Sequence, residues 1–151
     1  MMAILSQKDV EFLRNLFTRE LRDPVTMAFY TQGESPLTLP AAECRYCQEE
    51  RLLLEELSAL TDKLRLETID FVRQAEEARE HGISRIPALE LSGQARGLVR
   101  FFGIPSGYEF SALIEDIVDL SRGTTKLTAA SREALAALTR PVHIQVFTTP
   151  T

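Results

Sequence analysis

Short apolar runs alternating with amphipathic stripes predict an α/β protein. The expected architecture is a four-stranded mixed sheet with helices on both faces and one extra helix at the N-terminus. Three observations carry this. Residues 25–30 and 66–70 are strand-like, and a helix-period pattern follows each, making two βα units. Residues 86–91 and 98–102 flank Gly93 and read as a hairpin. A last helix, residues 108–120, follows the Gly103-Ile104-Pro105-Ser106-Gly107 break.

Taken in order, residues 6–21 form the extra helix. Ser6 can cap it, Asp9 suits a capping box, and Val10, Leu13, Phe17 and Leu21 make one apolar stripe. Asp23-Pro24 ends it, because proline disfavours a helical conformation in the residue before it. Residues 25–30 are the first strand. Segment 31–43 contains Gly33, Ser35, Pro36 and Pro40 and exceeds the roughly 2–6 residues usual for a strand-to-helix connection, so it is a functional flap or a tolerated insertion. A helix is expected to start around Cys44, with Leu53, Leu57, Leu60 and Leu64 on its buried face. After the strand at 66–70, a polar helix at 74–81 ends at Gly82, a residue suited to the left-handed cap. Pro87 opens the third strand as its first pairing residue, and Gly93 marks the hairpin turn. Phe110, Leu113, Ile114, Ile117 and Val118 should be buried on the last helix. Segment 121–128 is a polar connector, residues 129–138 a short alanine-rich helix, and residues 141–147 a strand. This strand repeats the opening theme of helix, proline and Val-x-x-x-Phe. Two regions result: a domain over 1–125, and a segment 126–151 holding a connector helix and the first strand of an incomplete second copy.

The composition narrows the function. The chain has 151 residues, 44% hydrophobic and 26% charged, with a formal net charge of −5. That acidic balance argues against nucleic-acid binding. No stretch reaches the roughly 18 apolar residues of a membrane span. The N-terminus lacks the basic region and apolar core of a secretory signal, so a cytoplasmic location is expected.

Cys44 and Cys47 are the two cysteines of the chain, separated by Arg45 and Tyr46. Two cysteines are too few for a disulfide framework, which tilts the pair toward chemistry. Strand, connection and two cysteines opening a helix is the sequence form of a redox dithiol. The unpaired N–H groups and positive dipole end of a helix stabilise a thiolate, and Arg45 adds positive charge. Zinc is the rival, but it takes about four ligands, and His81 and His143 are distant in sequence. Inert buried cysteines are the third reading. Elsewhere, His81 with Glu76, Glu77, Arg79 and Glu80 reads as a solvated helix face, and Asp70 as either a proton acceptor near Cys47 or a helix cap.

Several stretches together resemble the N-terminal half of the protein disulfide oxidoreductases of thermophiles, glutaredoxin-like proteins with two tandem thioredoxin folds. They are Asp23-Pro24-Val25, Cys44-Arg45-Tyr46-Cys47, the segments 55–64 and 115–122, Arg85-Ile86-Pro87-Ala88, and Arg100-Phe101-Phe102-Gly103-Ile104-Pro105-Ser106-Gly107-Tyr108-Glu109-Phe110. Val146-Phe147-Thr148-Thr149-Pro150-Thr151 matches the segment that leads to the family's second CxxC unit. The connection 31–43 is longer than the family's.

The resemblance implies a thioredoxin fold and a thiol–disulfide oxidoreductase acting on protein substrates. Cys44 would be the nucleophile and Cys47 the resolving thiol. Arg45, Tyr46, Ile86 and Pro87 would contact substrate, with Tyr46 shielding the resolving cysteine and Pro87 as a cis-proline. Glutathione could bind at residues 103–107, though protein disulfides suit the family better. No metal or organic cofactor is required; electrons would come from a thiol protein or a flavin-dependent reductase. The alternative is a non-catalytic interaction or dimerisation module. The unpaired strand 141–147 motivates it, by pairing with a second copy or with the domain's own sheet edge.

Overall fold

The chain starts with a helix fixed by its own end chemistry. In the computed structural model, which describes residues 3–33 and 44–149, α1 spans Gln7–Glu20. The Ser6 hydroxyl accepts from the Asp9 backbone N–H at 3.2 Å, and the Asp9 carboxylate accepts from the Ser6 N–H at 3.3 Å. This is the expected reciprocal box. Leu13, Phe17 and Leu21 are buried as the stripe requires, and Val10 packs at the margin.

β1 (Val25–Thr31) is the hub of the sheet. It pairs in parallel with β2 (Leu64–Asp70) and antiparallel with β3 (Ala88–Ser92), which pairs antiparallel with β4 (Val99–Phe102). The order is β2-β1-β3-β4, the mixed four-stranded sheet expected. Side-chain alternation along the strands sorts the two faces. Val25, Met27 and Phe29 join Leu64, Leu89 and Leu91 in the larger core. There they meet α1, α2 (Cys47–Ser58) and α4 (Tyr108–Arg122). Tyr30, Ile69 and Ala88 point the other way, toward Ala78 of α3 (Ala75–Glu80) and Ile83.

Several boundaries differ from expectation. α2 begins at Cys47 rather than Cys44 and ends at Ser58, so Leu60 lies beyond it and Leu64 opens β2. Apolar spacing alone does not separate a helix end from the strand that follows when both feed one core. Pairing in β3 starts at Ala88, since Pro87 has no N–H to donate. The hairpin loop runs over 93–98 instead of turning at Gly93. Gly93 matters for a different reason. A Cβ there would lie 2.8 Å from the Leu120 carbonyl oxygen, on which the loop is tied by the Ala95 N–H at 3.1 Å. Ser121 belongs to α4, not to a polar connector. It is fully buried, its hydroxyl donating to Asp23 O at 2.6 Å and accepting from the Arg22 N–H at 2.8 Å. α5 (Ala129–Ala136) is capped by Thr128.

The strand expected at 141–147 is absent: residues 137–149 contain no helix or strand. A strand is defined by its pairing, and this segment adds no fifth member to the sheet, so it does not lie on the domain's own edge. Val142, Ile144, Val146 and Phe147 are exposed there.

Candidate active site

One end of the sheet gathers the candidate residues. β1 ends at Thr31, and the chain returns at Cys44, whose N–H donates to Gln32 Oε1 at 2.7 Å. Residues 34–43, the body of the expected flap or insertion, lie outside the described residues. The register Tyr30↔Ala88 brings Pro87, just before β3, to the same end. The Ile86–Pro87 peptide is cis, as the resemblance implied. The Gly103 N–H donates to Pro87 O at 2.9 Å, so the loop leaving β4 also closes here.

Cys44 and Cys47 form a disulfide with Cα atoms 5.5 Å apart. Cys44 lies ahead of α2, while Cys47 is its first residue and 7% exposed. Cys44 is half-buried, so it is the more accessible residue of the pair, and Cys47 is the buried one. Tyr46 takes the N-cap position with no side-chain cap, so the first N–H groups of α2 keep their donor capacity beside the pair. Tyr46 is 43% exposed, with the Arg45 guanidinium 5.2 Å from its ring centroid. A second such pair sits nearby in the chain leading to Pro87: the Arg85 guanidinium lies 4.9 Å from the Phe102 ring.

Asp70 acts as a turn cap. Its Oδ1 accepts from the Val72 and Arg73 N–H groups at 2.9 and 3.0 Å, and Arg73 pairs with the other oxygen. His81 stays exposed, in keeping with the solvated-face reading, but it also has a partner. Its Nδ1 lies 2.8 Å from Oε1 of the buried Glu90, whose Oε2 accepts from Arg100 Nε at 2.7 Å. Burial, then the Glu90 and Glu77 carboxylates, raise the neighbouring Tyr30 phenol above its usual range. Among the described residues, no group of three His, Cys, Asp or Glu side chains could hold a metal.

Sequence reasoning missed Glu50. It is fully buried, neither carboxyl oxygen has a hydrogen-bond partner among the described residues, and burial alone pushes its pKa up to about 8. The signal was available: positions 47, 50, 54 and 57 form one helical stripe, and a glutamate stands where that stripe asks for an apolar residue.

A disulfide bridging the start of a helix, beside a cis-proline at the same end of a β2-β1-β3-β4 sheet, defines a thioredoxin-fold redox unit. No family model matches the chain. A probable thioredoxin of Methanothermobacter thermautotrophicus is 34% identical over 74 residues, which are 48% of this chain and 82% of that protein. The chain belongs to the thioredoxin family, and it is a thiol–disulfide oxidoreductase.

Two solved structures share the fold at 24% identity. One is a protein disulfide oxidoreductase from Aeropyrum pernix, with a TM-score of 0.72, covering 88% of this chain and 55% of that one. The other is the NTD_N/C domain of the alkylhydroperoxide reductase AhpF from Enterococcus faecalis, with a TM-score of 0.72, covering 89% of this chain and 61% of that one. The chain thus spans little more than half the length of either. No helix among the described residues is long and apolar enough to cross a membrane.

Proposed function

We propose that the chain exchanges dithiol and disulfide with protein substrates, Cys44 serving as nucleophile and Cys47 as resolving thiol. The observation that carries this is the asymmetry of the pair, a half-buried Cys44 ahead of α2 and a buried Cys47 at its start. In the reductive direction the Cys44 thiolate attacks one sulfur of a substrate disulfide, and the other leaves as a thiolate. Cys47 then attacks Cys44 Sγ, the mixed disulfide breaks, and the second substrate thiolate departs. Two electrons pass to substrate and the Cys44–Cys47 bond forms. Oxidation of substrate thiols is the same path reversed.

Substrate binds along the backbone of Ile86 beside Pro87, with Arg45 and Tyr46 lining the approach. The chemistry needs no metal or organic cofactor. Electrons come from a thiol protein or a flavin-dependent reductase, a reading supported by the fold shared with a domain of an alkylhydroperoxide reductase. In this reading residues 1–125 are the redox unit. Residues 126–151 supply a connector helix and, at 141–147, a segment that would pair as the first strand only within a second thioredoxin-like unit. The exposed Val142, Ile144, Val146 and Phe147 support this, because they suit a strand whose sheet lies elsewhere.

Insulin reduction by dithiothreitol, compared between the wild type and Cys44→Ser, tests the activity. Loss of acceleration in the variant is expected; equal rates would leave only the interaction-module reading. Alkylation of the reduced protein against pH should reveal one thiol titrating below about 7.5. Two thiols both near 8.5 would remove the helix-terminus argument. Sedimentation at low and high concentration tests self-association through 141–147.

A further inference from the structure

Two arginines at the dithiol end of the sheet rest against aromatic rings and have no acidic partner among the described residues. The Arg45 guanidinium lies 5.2 Å from the Tyr46 ring centroid, and that of Arg85 lies 4.9 Å from the Phe102 centroid. Both arginines are exposed, and neither makes an ion pair or a hydrogen bond among the described residues. Such a contact restrains a guanidinium without neutralising it, and leaves its N–H fork for a carboxylate. Arg45 stands between the two cysteines, and Arg85 precedes the cis Ile86–Pro87 peptide. The register Ala88↔Phe102 sets the second ring beside that peptide.

The charge around them is one-sided. The described segments that meet at this end, 31–33, 44–48, 84–88 and 102–108, contain Arg45 and Arg85 and no Asp or Glu. Asp70, at the end of β2, is taken by the Val72 and Arg73 N–H groups and by the Arg73 side chain. Glu50, one turn into α2, has its pKa pushed up to about 8 and so adds little negative charge at neutral pH. The next carboxylates along α2 and α4, Glu49 and Glu109, are exposed to solvent. The chain as a whole carries a formal charge of −5, so its dithiol end reverses the sign of the rest.

We infer that Arg45 and Arg85 select the substrate, favouring protein disulfides whose cysteine is flanked by acidic residues. This rests on the reading proposed above, in which substrate lies along the backbone of Ile86. A chain added there as an extended strand sets one side chain opposite Arg85, with Cβ atoms about 4.5–5.5 Å apart, within reach of an ion pair. Arg45, next to the attacking sulfur, meets the other side of the substrate cysteine. Each carboxylate accepts from a guanidinium already held by its ring, so little side-chain freedom is lost on binding. Two fields compete for such a substrate. The net charge of the chain repels it, and the two arginines attract it. Salt at about 0.15 M screens exposed charges beyond about 8 Å, so remote carboxylates fade while contacts of a few ångströms persist. Net charge alone would favour basic substrates; the arginines favour acidic ones.

The test uses three end-capped peptide disulfides that differ only in the residues flanking each cysteine: aspartate, asparagine or lysine. Fully reduced protein is mixed with each, and the rate of Cys44–Cys47 disulfide formation is divided by that peptide's rate with dithiothreitol. Dithiothreitol is uncharged, so the division removes the peptide's own reactivity. At about 0.15 M ionic strength the aspartate peptide should exceed the lysine peptide at least fivefold, and the ratio should fall to within about twofold at 1 M. Arg85→Gln and Arg85→Glu should lower the ratio in that order, the second at least fivefold. Arg45→Gln should lower it too; any effect on the Cys44 thiolate is common to the three peptides and cancels. Arg96→Glu makes the same charge change as Arg85→Glu, but in the exposed 93–98 loop at the opposite end of the β3–β4 hairpin. It should leave the ratio unchanged. A lysine preference in the wild type, no preference, or a ratio lowered equally by Arg96→Glu and Arg85→Glu overturns the inference. Reduction of the asparagine peptide by wild type and not by Cys44→Ser separates these outcomes from failure of the underlying reading. A wild type that reduces none of the three peptides refutes the thiol chemistry itself, and the selection falls with it.

Discussion

Replacing Glu50 with glutamine should change how stability depends on pH, in a direction set by its burial. An unfolded glutamate titrates near 4.5, whereas in the folded chain the carboxyl is pushed up to about 8. Between these values the native state holds a proton that the unfolded state has lost, so native stability falls as pH rises. The Glu50 contribution is intact below about 4.5 and is lost as pH climbs through about 8. Each pKa unit corresponds to about 1.4 kcal/mol, so the whole interval amounts to roughly 5 kcal/mol. That is a large fraction of the 5–15 kcal/mol typical of a domain. Urea denaturation of the oxidised wild type and Glu50→Gln, from about pH 4 to 9.5, gives the comparison. Other titrating groups act alike in both proteins and cancel in the difference. The variant should gain on the wild type steadily above pH 5 and lead by several kcal/mol at pH 9. A difference that is flat with pH would show that the carboxyl is hydrated or paired in the folded protein, and the burial argument would fail.

Three further outcomes follow from the packing. Arg100→Ala strips one cation from the buried Glu90 and leaves only His81 beside it, so a loss of about 3 kcal/mol is expected in urea denaturation. Glu90→Gln should cost less, since the charge left without its partner, on Arg100, is partly exposed and can be solvated. Ser121→Ala removes the hydroxyl that joins Arg22 N–H to Asp23 O where α4 meets the start of β1. Its expected cost is about 1–3 kcal/mol in thermal or chemical unfolding. Gly93→Ala drives a methyl group into the Leu120 backbone, and about 1–3 kcal/mol should be lost unless the 93–98 loop shifts. An unchanged Tm for any of the three would refute the contact invoked.

The amino-acid sequence by itself determined element type and order, because hydrophobic period and end chemistry are local. The α1 capping box, the β1 run, the cysteine pair and the proline at 87 were all legible, and their order implied the sheet. Residues at 141–147 show the limit of that reasoning: strand propensity is present in the side chains, but pairing needs a partner strand. Tertiary structure alone decided which residues share an environment. Parallel and antiparallel pairing around β1 brings Cys44, Pro87 and Gly103 to one sheet end from widely separated positions. The same folding buries Glu90 and sets its two oxygens against His81 and Arg100, residues well apart from it in sequence. Glu50 lies between these cases. Its place on the apolar stripe was visible, but its burial without a partner depends on what the opposing elements present, and that is a property of the assembled core.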